Sequence, residues 1–151
     1  MRTITSYFRM LLLGILLTAV IPLKLMGQQP YTIENCVNEF SKAKAVSTDA
    51  GYQYWFADEK FLADGRTLKM SVIEKGKASH PPHKHVEDEF LFVVEGTAEF
   101  YLDGKTKVVG PLTSLYCPSN VEHGIKNAGD TQLKYLVIRK YDVKNSSTDK
   151  K

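Results

Sequence analysis

From Gly51 to Tyr141 the chain reads as a succession of short β-rich runs cut by turn residues, a spacing that suits an all-β barrel or sandwich. Residues 52–56 are dense in aromatic side chains that pack well on a pleated surface. Asp64-Gly65 marks a turn before the run 68–73, and Glu95-Gly96 ends the run 89–94. The run 98–102 closes on Asp103-Gly104, a dipeptide favoured in tight hairpins because the turn needs positive φ. Runs at 106–109, 114–117, 123–126 and 134–141 complete the series, and none has the apolar period of a long helix. The expected fold is all-β and antiparallel. Residues 28–50 differ: Val37, Phe40 and Lys44 can share one helical face, so a short N-terminal helix or arm is expected there.

The first residues read as an address. Arg2 and Arg9 precede an apolar run over 10–21, Pro22 breaks it, and Gly27 supplies a small residue before a polar stretch. That run falls short of the roughly 20 residues of a comfortable membrane span. The expected organisation is a signal peptide at 1–27, an arm at 28–50, a barrel domain at 51–143 and a polar tail at 144–151. The protein is then secreted or periplasmic, with no stable membrane association after cleavage. Charge supports a further exclusion. The net charge is +3, and Arg2, Arg9 and Lys24 lie in the leading segment; without them 17 basic residues balance 17 acidic ones. A neutral body has no footprint for nucleic acid. Export permits a disulfide between Cys36 and Cys117. Cys117, set between Tyr116 and Pro118, reads instead as a small buried side chain.

Chemistry concentrates in two clusters. His83 and His85, two apart, present both imidazoles to one side if the backbone is extended, and Glu89 follows after a short turn. His123 lies in a second cluster after Pro118 and can arrive from a neighbouring strand. Three nitrogens and one carboxylate oxygen leave positions open on a six-coordinate metal, as a catalytic site requires. The mixed donor set accepts iron, manganese, nickel, copper or zinc as one divalent ion. His80 lies outside this spacing beside Pro81-Pro82 and reads as loop; Glu87 and Asp88 read as solvated turn residues.

The first cluster, Gly76 through His83, His85 and Glu89 to Gly96, resembles the first cupin motif, with a slightly long glycine-to-histidine gap. The second, Gly110, Pro118, His123 and Asn127, resembles the second cupin motif. Asn120 stands there in place of the usual glycine, and asparagine tolerates a left-handed turn. The resemblance covers residues 68–141. It implies a double-stranded β-helix, the cupin or jelly-roll barrel, with one metal ion in its interior on His83, His85, Glu89 and His123, and a tendency to form homodimers.

Two classes of function follow from that resemblance. The first is a metal-dependent enzyme on a small organic substrate, either dioxygenase-like or a Lewis-acid isomerase or lyase on a sugar acid, with Glu89 and Tyr101 as candidate catalytic groups. The second is a non-catalytic small-ligand-binding barrel with a structural or vestigial metal site. In the last run Tyr135, Val137, Arg139 and Tyr141 share one face. If that face is interior, Arg139 can clamp a substrate carboxylate, because its planar fork matches that geometry. Mass spectrometry of the exported protein should give a chain starting near Gln28; the full-length mass in a membrane fraction would contradict the cleavage.

Overall fold

The computed structural model describes residues 31–59, 61 and 64–142. The expected signal segment and polar tail lie outside the described residues. Among the described residues a helical turn, α1 (Ile33–Cys36), and a 3-10 turn (Lys42–Lys44) lead into nine strands. These are β1 (Val46–Thr48), β2 (Gly51–Ala57), β3 (Arg66–Ile73), β4 (Glu89–Glu95), β5 (Ala98–Leu102), β6 (Lys105–Val109), β7 (Thr113–Cys117), β8 (His123–Asn127) and β9 (Leu133–Lys140). Six form one sheet in the order β1-β2-β3-β9-β4-β7, and three form another, β6-β5-β8. Every strand pairing among the described residues is antiparallel. The inner faces of both sheets share one core, which makes a jelly-roll barrel.

Directly opposed residues in an antiparallel ladder point to the same face, so the register stacks the interior in layers. One layer of the large sheet is Trp55, Lys69, Val137, Leu91 and Leu115. The next toward the strand end is polar: Thr67, Arg139, Glu89 and Cys117. From the small sheet, His123, Ile125 and Asn127 face the same interior, opposed on β5 by Leu102, Phe100 and Ala98. The apolar layers close the middle of the barrel: Leu91, Val93, Leu115, Leu133 and Ile125 are all buried. One end is left to polar side chains.

Asn127 seals the turn after β8. Its side-chain amide donates to the carbonyls of Ile73 (2.9 Å) and Thr131 (2.7 Å), and its Oδ1 accepts from the Gly129 amide (2.9 Å). Asn120 adopts φ 58, the left-handed conformation expected where the resemblance calls for glycine.

The arm departs from the expected helix. Val37, Phe40 and Lys44 do not share one; α1 ends at Cys36, and Val46–Thr48 joins the large sheet as its edge strand. Isolated helices this short are not self-sustaining, so tertiary packing decides the conformation. Phe40 packs its ring edge on Tyr54 at 5.1 Å, and the Tyr54 hydroxyl donates to the Glu39 carbonyl at 2.9 Å. Tyr54, Met70 and Val72, with Ala45, Tyr52, Phe56 and Leu136 packed against them, build a second apolar cluster on the outer face. Cys36 is exposed, Cys117 is buried, and they are not bonded to each other.

The β4–β5 connection depends on glycine. Gly96 has φ +85, and a Cβ there would lie 2.5 Å from the Gln132 carbonyl oxygen. Gly96→Ala should therefore cost about 1–3 kcal/mol of stability in urea unfolding; a loss below about 0.5 kcal/mol would contradict the close approach.

Candidate metal centre

The two motif segments are stitched together by backbone. The His83 amide donates to the His123 carbonyl (3.0 Å) and the His123 amide to the His83 carbonyl (2.9 Å). Beside them the Asn120 amide donates to the His85 carbonyl (2.7 Å). His83 and His85 thus sit in a loop held by a single bridge rather than in a regular strand, contrary to the extended pairing expected from their spacing. Gly124 makes room for that loop, since a Cβ there would meet Pro82 Cα at 3.3 Å.

This stitching brings the three imidazoles together. Ring centroids are 5.2 Å apart for His83 and His85, 4.9 Å for His83 and His123, and 4.8 Å for His85 and His123. One ligating nitrogen from each ring lies within 4.8 Å of the others. Glu89 opens β4 beside them, only 5% exposed. Its Oε1 is 3.2 Å from His123 Nε2 and 3.8 Å from His85 Nε2.

Ring orientation is set from behind. Nδ1–H of His85 donates to the Glu87 carbonyl (2.6 Å), and Nδ1–H of His123 donates to the Val121 carbonyl (2.8 Å). Both Nε2 lone pairs therefore point at the centre, the arrangement that metal-ligating histidines need. His123 Nε2 and His83 Nδ1 are buried and have no hydrogen-bond partner among the described residues. At 3.2 Å the His123 nitrogen and the Glu89 oxygen face each other as two acceptors, a juxtaposition that a cation between them satisfies. The donor set fits a divalent ion on these residues.

Burial, with the neighbouring imidazoles next in weight, pushes the His83 pKa down to about 4. His85 is also lowered, by burial first and then by Arg139. Both rings are thus held neutral near pH 7, as metal ligation requires.

Arg139 lies inward on β9, as expected if its face is interior. Its Nε (2.9 Å) and Nη2 (2.5 Å) donate to Glu89 Oε2, Nη2 to His85 Nε2 (2.8 Å) and Nη1 to the Tyr141 hydroxyl (3.1 Å). Burial opposes the Arg139 charge, but Glu89 outweighs it and holds the guanidinium pKa above its ordinary value.

Lys69 escapes a reading of the sequence as an interior residue, whereas Cys117 is buried as expected. Lys69 shares the inner face with Arg139; burial, and next the Arg139 charge, lower its amine pKa, and its contact is the Trp55 ring at 5.2 Å. The Cys117 sulfur lies within 4.8 Å of ligating atoms of Glu89 and His123, and burial pushes its pKa up to about 12, so it stays a neutral thiol. Only the strand register shows that Lys69 points inward and that Cys117 adjoins Glu89.

Tyr101 is placed elsewhere. It lies on the face of β5 opposite the buried Ala98 and Phe100, and its hydroxyl donates to Glu122 Oε2 at 2.5 Å. It lines an outer groove of about 540 Å³ that includes His80 but none of His83, His85, Glu89 or His123. His80 is exposed, with its ring 4.2 Å from that of His83. A smaller depression of about 330 Å³, lined by Trp55, Asp58, Glu59, Thr67 and Tyr141, adjoins the Arg139 and Lys69 side.

Comparison with known proteins gives the same architecture. Residues 69–139 match the family model of the cupin domain. The chain is 28% identical over 89 residues to mannose-1-phosphate guanylyltransferase of Escherichia coli K12, covering 58% of this chain but 19% of that enzyme. It thus spans about a fifth of the curated relatives it matches. A cupin 2 conserved barrel protein from Salinispora arenicola superposes with a TM-score of 0.60 at 18% identity, covering 72% of this chain and 89% of that one. The polyketide cyclase RemF of Streptomyces resistomycificus gives 0.58 at 21% identity, covering 69% and 79%. At these identities the likeness is one of fold.

The His83 shift has a sign that can be measured. Its folded pKa of about 4 lies below the ordinary 6.5, so between those values the unfolded chain binds a proton that the native state does not. Stability of chelator-treated protein should therefore fall as pH drops from about 6.5 to about 4. His83→Gln should flatten that fall, and an unchanged slope would contradict the assignment.

Proposed function

The chain belongs to the cupin superfamily, and on that premise we propose that it is an exported metalloenzyme acting on a small carboxylate-bearing molecule such as a sugar acid. The observation that carries the metal is the pair of acceptors, His123 Nε2 and Glu89 Oε1, facing each other at 3.2 Å with the nitrogen unsatisfied. His83, His85, His123 and Glu89 would hold one divalent ion. When bound, the ion supplies Lewis acidity that polarises a substrate hydroxyl or carbonyl oxygen.

The remaining groups bind and orient. Two inward cations, Arg139 and Lys69, stand over one buried carboxylate, an excess of positive charge in a poorly hydrated layer. That excess favours an anionic substrate, which supports isomerase or lyase chemistry on an acid over a neutral phenol. Tyr141 accepts from Arg139 and so helps to orient the guanidinium. Lys69, held by the Trp55 ring rather than by a carboxylate, is the cation left to meet its charge. The charged, apolar and small-residue layout of residues 1–27 supports a site of action outside the cytoplasm.

His123→Ala should lower bound metal at least tenfold while circular dichroism still reports a folded barrel. Glu89→Gln should retain more metal than His123→Ala yet lose turnover of sugar acids. Stoichiometric metal in His123→Ala would remove that residue from the site, and full turnover in Glu89→Gln would remove the carboxylate from catalysis.

A further inference from the structure

Arg139 already holds lone pairs that a metal ion would need. His85 commits Nδ1–H to the Glu87 carbonyl, so Nε2 has a single lone pair, and Arg139 Nη2 donates to it at 2.8 Å. That lone pair can accept from the guanidinium or ligate a metal, not both. On Glu89 the same guanidinium takes Oε2 through two charge-assisted bonds, while Oε1 faces the imidazoles.

We propose that Arg139 is an internal counter-cation, anchored on Glu89 Oε2, that competes with the divalent metal for His85 and thereby sets the affinity of the centre. The inference rests on the metal reading above. Loading through Oε1 leaves Oε2 free to keep the Arg139 Nε bond, so the contact that has to break is Nη2 to His85. The released guanidinium then stands beside a divalent ion in a layer with little water, and Lys69 adds a second positive charge on that side. Three imidazoles and a carboxylate therefore bind metal more weakly here than their donor set alone dictates. Conversely, without Arg139 the buried Glu89 loses the partner that offsets its desolvation, so the metal-free protein is the state that suffers.

The test is zinc titration of chelator-treated protein against a competing fluorescent chelator, with melting temperatures of the metal-free and zinc-loaded forms. Arg139→Gln removes the charge and should raise zinc affinity by about tenfold or more. It should also lower the melting temperature of the metal-free form and widen the gap to the zinc-loaded form. Arg139→Lys keeps a charge but cannot span both ligands, so its affinity should rise by a smaller factor; this variant decides the matter if Arg139→Gln fails to fold. Affinity that falls or stays within about twofold in the folded variants would overturn the proposal and make Arg139 a positioning residue for Glu89. Failure of the wild type to bind zinc, and likewise iron, manganese, nickel and copper in the same competition assay, would overturn the metal reading, and the inference with it.

Discussion

A carboxylate buried inside a β-barrel must be met by positive charge, and Glu89 imposes that condition on everything around it. It is 5% exposed at the start of β4, so it has lost nearly all contact with bulk water. Arg139 answers from the adjacent position on β9, while His123 and His85 present nitrogen lone pairs to its other oxygen. An apolar residue at either Glu89 or Arg139 would leave its partner a buried uncompensated charge, so the two are coupled in any account of folding. The polar cluster rests on the buried apolar layers that close the middle of the barrel.

The barrel supplies what such a cluster needs, rigid placement from several directions at once. The four candidate ligands arrive from a loop, the first residue of β4 and the first residue of β8, and reciprocal backbone bonds between His83 and His123 lock these segments in register. Backbone carbonyls of Glu87 and Val121 then fix the ring orientations, so the side chains spend little freedom on convergence. Asn127 and Gly124, neither a ligand, keep β8 and the histidine loop where these contacts form.

Much of this was legible in the order of residues. Turn residues at Gly96 and Asp103-Gly104 delimit strands within one or two positions, because those backbone conformations are chemically selective. The spacing of His83, His85, Glu89 and His123 identifies four donors that converge, and period-two alternation puts Tyr135, Val137 and Arg139 on one face, which the strand partners turn inward. Strand β3 resists such a reading. Its interior face is Thr67, Lys69 and Ser71, while Leu68, Met70 and Val72 lie on the outer face, where Met70 and Val72 pack in an apolar cluster of their own. Alternation by hydropathy therefore points β3 the wrong way round, and Lys69 looks solvated. The arm is hard to read for a different reason: Val46–Thr48 becomes a strand only because β2 offers an edge to pair with. Tyr101 shows the remaining gap, since spacing within a strand does not say which of two faces is inside until the partner strands are known.

The central claim is that the cluster holds one divalent ion, and metal analysis of the wild-type chain tests it most directly. Inductively coupled plasma mass spectrometry should be run on protein purified without chelators or a histidine tag, then again after reconstitution with iron, manganese, nickel, copper and zinc in turn. The account predicts one equivalent of a single metal per chain in at least one of these preparations. A chain that retains no stoichiometric metal under any of them would contradict it, leaving a barrel whose buried Glu89 is balanced by Arg139 alone.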